Sequence, residues 1–122
     1  MKIASAGIAE MVAMRVATLA VAATVIVCVV ALIADERPTS KTHTVTMENM
    51  RFQPEHLTVA RGDTVVWVNK DLVPHTATSK TGGFDSRIIQ AEKSWKFTVR
   101  KKGDFAYVCT FHPTMTALLR VK

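Results

Sequence analysis

Cysteine is nearly absent from this chain, and its scarcity narrows the fold. Of 122 residues only Cys28 and Cys109 carry a thiol. Past residue 34 there is therefore no intrachain disulfide to staple a small domain. No segment repeats at a fixed period, which excludes a solenoid or propeller and leaves a single domain's worth of chain. No amphipathic helix longer than a turn or two can be traced past residue 34, which excludes a helical bundle. Charge of either sign is missing from residues 16–34 (VATLAVAATVIVCVVALIA). Such a run is near the length that crosses a bilayer as a helix and longer than a usual signal-peptide core, and either reading exports the rest of the chain.

Lys2 and Arg15 precede the run, and Asp35, Glu36 and Arg37 come after it. The positive-inside bias keeps the N-terminus in the cytoplasm and puts residues 35–122 outside. The expected organisation is a signal peptide or N-terminal membrane anchor over 1–34, a linker over 35–41 (DERPTSK) and one folded domain over 42–122. The domain is expected in the periplasm or another extracytoplasmic space, soluble after cleavage or tethered by residues 16–34. Val27 before Cys28 argues against a lipid-modified cysteine. With Lys2, Arg15 and Glu10 set aside, the exported part has 14 Lys and Arg against 9 Asp and Glu. Outside the cytoplasm such a balance points to an anionic membrane surface or an acidic protein, and not to nucleic acid.

From Thr42 onward short alternating segments are broken by turn signals, which predicts an all-β fold with strands at 42–47, 57–60, 64–69, 75–79, 93–100, 105–110 and 115–121. Gly62, Gly83 and Gly103 mark turns between them. In KSWKFTVR, Trp95, Phe97 and Val99 alternate with Lys96, Thr98 and Arg100, giving one apolar and one solvated face. The same period puts Phe105, Tyr107 and Cys109 on one face of the next strand. Trp67 and Tyr107 read as core aromatics and Asn69 as a turn former. A sandwich of this size is marginal without staples, and a bound metal would supply one.

The stretch CTFHPTM, residues 109–115, carries a thiol, an imidazole and a thioether at three-residue spacing. A thiolate, two imidazoles and a weak axial thioether form the set that holds blue copper. Cys109, His112 and Met115 supply three of the four. Of the histidines upstream, His75 follows Pro74 at a strand end where it can reach another loop, whereas His43 and His56 have no such placement. The predicted ligands are His75, Cys109, His112 and Met115, holding one copper ion. A zinc finger is disfavoured by the single exported thiol. No second metal site or substrate pocket is visible in the ligand inventory, so the expectation is not an enzyme.

With GDFAYVCTFHPTM stand GDTVVWVNKDLVPHTATS, MRFQPEHLTVARGD and GGFDS, and together they resemble the cupredoxins over residues 42–122. The short Cys-x-x-His-x-x-Met loop is most similar to the amicyanin-like group. The resemblance implies a Greek-key β-sandwich of eight or slightly fewer strands, preceded here by one hydrophobic helix, with type 1 copper at one pole. It implies a monomeric one-electron carrier that meets protein redox partners; a module that stores copper or delivers it to an oxidase is the alternative. It further implies that His75 is the buried ligand and His112 the exposed one. Thr76 stands where cupredoxins often have an Asn that ties the two ligand loops together, so a weaker tie is expected.

Overall fold

Alternation along TVVWVN (Thr64–Asn69) buries Val65, Trp67 and Asn69, while the residues between them are half-buried. That pattern makes a central strand with one face in the core. A computed structural model describes residues 38–122; the apolar run and the helix or anchor expected of it lie outside the described residues. The unit Thr39–Lys122 is all-β, without a helix. Its strands are β1 (Thr42–Glu48), β2 (Arg51–Gln53), β3 (His56–Val59), β4 (Thr64–Asn69), β5 (Thr78–Ser79), β6 (Ser94–Thr98), β7 (Gly103–Cys109) and β8 (His112–Val121).

Two four-stranded sheets face each other, in the orders β2-β1-β4-β6 and β3-β8-β7-β5. Two neighbour pairs are parallel, β1 with β4 and β3 with β8, and the others are antiparallel. The register defines two ends. Thr42 lies beside Thr64 and Thr64 beside Thr98 at one end, where Gly103 also pairs with Val121. Asn69 and Cys109 close the other end.

Strand β2 was not expected from the sequence. The turn before it is Asn49–Met50, with φ of 53° and 60°. Two positive φ angles between the paired residues Glu48 and Arg51 make the tight hairpin turn that usually advertises itself by glycine. The strand expected at 75–79 shrinks to Thr78–Ser79, because His75 makes only an isolated bridge to Ile89.

The core is aromatic at its centre. The ring of Trp67 lies 5.3 Å from Phe84, 5.4 Å from Trp95 and 5.8 Å from Tyr107. Tyr107 meets Phe52 edge-on at 4.7 Å, and burial pushes its phenol up to about 12. Val45, Met47, Val65 and Leu119 pack around these rings. The RGD turn is more than a turn. Asp63 is buried, and its carboxylate accepts from Lys41 N at 2.8 Å, His43 Nε2 at 2.8 Å and Ala60 N at 3.1 Å. It ties the entry of the chain to the β3–β4 corner.

Candidate metal centre

Strands β7 and β8 are joined by only Thr110 and Phe111, so Cys109 and His112 face each other across the hairpin mouth. The Cys-x-x-His spacing is the length of that turn. Beyond it the register jumps: Val108 pairs with Thr116, and Pro113, Thr114 and Met115 bulge out of the ladder. A bulge re-aims side chains. Met115 is thereby buried at the head of the inward row that continues through Ala117, Leu119 and Val121.

The second ligand loop leaves β4 at Asn69. The buried Asn69 side chain accepts from Asp71 N at 2.9 Å and donates to Val73 O at 2.8 Å and Ile89 O at 3.0 Å. It is a turn former, as expected, and also the brace of the loop that carries His75. His75 exchanges backbone hydrogen bonds with Ile89 and is completely buried.

Three donors converge. Nδ1 of His75 lies 3.7 Å from Cys109 Sγ, and Nδ1 of His112 lies 3.6 Å from it. Each of the three residues offers a ligand atom within 4.8 Å of the others, the one such group among the described residues. Bonds of about 2.3 Å to sulfur and 2.0 Å to nitrogen, meeting near 120°, separate the donors by about 3.7 Å. The cluster therefore fits one ion held between a thiolate and two imidazoles. His75 and Cys109 are buried, and His112, expected to be exposed, is half-buried, the more accessible of the two histidines. Met115 is buried beyond the same hairpin. His43 is engaged by Asp63, and His56 is exposed on β3; neither joins the cluster.

One participant carries no motif of its own. Asp71 Oδ2 accepts from His75 Nε2–H at 2.7 Å. The same carboxylate accepts from the amides of Asn49 at 2.8 Å and Met50 at 3.1 Å. The bond fixes the His75 tautomer and leaves Nδ1 free to face the sulfur. Burial pushes the Asp71 carboxyl up, but the hydrogen bonds from His75, Met50 and Asn49 outweigh it and hold the group below the usual carboxylate range. The signal that could have found it is its spacing, four residues before His75.

Thr76 ties the loops together more fully than its short side chain suggests. Its amide donates to Cys109 Sγ at 3.3 Å, and its Oγ1 accepts from Thr110 N at 2.9 Å and from Thr78 Oγ1 at 3.1 Å. Oγ1 of Thr76 and of Thr110 are a further 3.1 Å pair. A threonine on each loop thus does the work expected of one longer amide.

A two-sheet sandwich with a Cys-His-His cluster at one end defines a class of metalloprotein, and comparison with known proteins gives the family. Residues 17–121 match the cupredoxin-like domain. The chain belongs to the cupredoxins. It is 30% identical to the amicyanin of Paracoccus versutus over 76 residues, 58% of each chain. It is 26% identical to amicyanin-alpha of Methylorubrum extorquens over 85 residues, 66% of this chain and 71% of that one. The alignments with the two Paracoccus amicyanins thus span 58% of those relatives' length. Among solved structures, a Cu(I) methionine-to-alanine variant of amicyanin superposes with a TM-score of 0.63 at 26% identity, over 66% of this chain and 82% of that one. A Cu-containing nitrite reductase from Thermus scotoductus SA-01 superposes with a TM-score of 0.62 at 27% identity, over 70% of this chain but only 23% of the enzyme. The cofactor of this family is one copper ion, and the thiolate and two imidazoles gathered here suit it.

Proposed function

We propose that this chain is a type 1 (blue) copper protein that carries single electrons outside the cytoplasmic membrane, with His75, Cys109, His112 and Met115 holding the metal. The observation that supports this most is a three-donor cluster sealed on one side and open on the other: His75 and Cys109 are inaccessible, and His112 reaches the surface. Copper there supplies the Cu(I)/Cu(II) couple and, through its thiolate bond, an intense visible absorption. The protein's part is to hold the donors still. Asp71 fixes His75, Thr76 and Thr110 lock the two loops, and the hairpin fixes Cys109 against His112. Donors that are already placed need little rearrangement when the charge changes.

Electrons enter and leave at His112. Leu72, Val73, Ile88 and Phe111 are exposed apolar side chains on the loops beside the two histidines. Exposed apolar patches of this kind mark protein contacts, so the collar suits a brief encounter between this monomer and a redox protein. An electron port that opens onto a surface suited to docking supports the reading of a carrier over that of an enzyme. Residues 1–34 serve as signal peptide or membrane anchor, 35–41 as linker and 42–122 as the working domain.

The visible spectrum of the Cu(II)-loaded protein tests the reading. An intense blue colour is expected, and Cys109→Ser should abolish it; a colourless copper-loaded wild type removes the assignment. Reversible one-electron voltammetry with slow metal loss separates a carrier from a module that hands copper to an oxidase, which would exchange the ion readily.

A further inference from the structure

The end of the sandwich remote from the metal centre gathers charge of one sign. Lys41 at the entry to β1, Arg61 between β3 and β4, Arg100, Lys101 and Lys102 between β6 and β7, and Lys122 after β8 are all exposed. Backbone hydrogen bonds knit these segments together there. Arg61 N donates to Lys122 O at 3.0 Å, Gly62 N to Val99 O at 2.7 Å and Thr64 N to Lys41 O at 2.8 Å. The acids of this end are already engaged: Asp63 takes two amides and His43, and Asp104 makes a two-bond pair with Arg120. Among the described residues, none of the six cations is in an ion pair.

A second observation falls in the same place. An apolar cleft of about 260 Å³ opens between β6 and β7, walled by Phe84, Phe97, Val99, Phe105 and Leu119, with Arg100 and Lys101 also lining it. Gly83 lines it too, packed so close to Phe105 that a Cβ there would stand 2.6 Å from the ring. An isolated basic turn is ordinarily just solvated. Six cations that repel one another beside an apolar cleft describe something else: a site for molecules with an anionic head and a hydrocarbon tail.

We propose that this end of the domain docks on an anionic phospholipid surface, its cations facing the headgroup phosphates and its cleft receiving the end of an acyl chain. An acidic protein would answer the charge but would bring no slender hydrocarbon chain to the cleft. Residues 16–34, uncharged and apolar, precede the domain in sequence, so a lipid surface is also the partner that the chain itself makes available. Docked in this way, the domain points His112 away from the lipid.

The unit Thr39–Lys122 closes its own two-sheet core, so it can be tested without the apolar run. Sedimentation with phosphatidylglycerol vesicles at low salt should capture it, and phosphatidylcholine vesicles should not. Lys101→Glu with Lys102→Glu should lower binding at least about tenfold, with an unchanged near-ultraviolet circular dichroism spectrum as the check on folding. Phosphatidylglycerol with brominated acyl chains should quench tryptophan fluorescence in the bound protein, because Trp95 stacks on Phe97 of the cleft wall at 5.8 Å. Equal binding by wild type and variant, equal binding to both lipids, or bound protein that brominated chains leave unquenched overturns the proposal. Failure to bind anionic vesicles at all overturns it as well. None of these outcomes depends on copper.

Discussion

Asp71 stands at the junction of two loops, one of its oxygens on His75 and the pair of them on the Asn49–Met50 turn. Asp71→Ala frees the His75 ring to turn, and copper affinity should fall about 10- to 100-fold, measured by competition with a chelator. Thr76→Val removes the acceptor of the Thr110 amide, and chemical denaturation should show a loss of about 1–3 kcal/mol. Asp63 makes a pH prediction. The Lys41 amide, the His43 ring and the Ala60 amide lower its carboxyl to about 2, below the roughly 3.9 of an unfolded aspartate. A group depressed by folding stabilises the native state above its unfolded value, and that stability drains away as pH falls toward the folded one. Asp63→Asn should therefore melt lower than wild type at neutral pH, with the gap narrowing between about pH 4 and pH 2.

Among the strands, the legible features were those that a two-residue period or a fixed spacing encodes. β4 has the bounds expected of it, because its alternation runs unbroken from Thr64 to Asn69. Cys109 and His112 were legible as neighbours because a two-residue turn leaves them no other arrangement. β2 was hidden because its turn uses Asn49 and Met50 where glycine would have announced it. Left-handed geometry costs a residue with a side chain about 1–2 kcal/mol. Met50→Gly should accordingly stabilise the fold by about 1 kcal/mol, read from the denaturation midpoint. Asp71 was passed over for a different reason: a carboxylate two residues past a strand looks like an ordinary turn acid, and its spacing to His75 gains meaning only when the fold brings the ring over it. Thr76 was underrated because the hydroxyl of a threonine lies one bond nearer the backbone than the amide of an asparagine, and only the loop geometry shows that Thr110 comes to meet it.

The unit Thr39–Lys122 separates two kinds of contact by the length of its strands: apolar side chains beside His112 at one end, cations around a cleft at the other. Leu72→Glu and Ile88→Glu should therefore slow the bimolecular reaction with a redox protein while leaving the voltammetric potential and the vesicle binding near those of wild type. The order of the strands carries one more consequence, and it concerns time. β8 lies between β3 and β7, so β3 has no neighbour in the second sheet until β8 exists, whereas every strand of the first sheet precedes β8 in the chain. During synthesis, β1, β2, β4 and β6 can find one another while Cys109 still lacks its hairpin partner. Long-range pairing of this kind is slow to form. The same late strand begins with His112, so Cys109 and His112 cannot face each other across their hairpin until the last strand of the chain has paired.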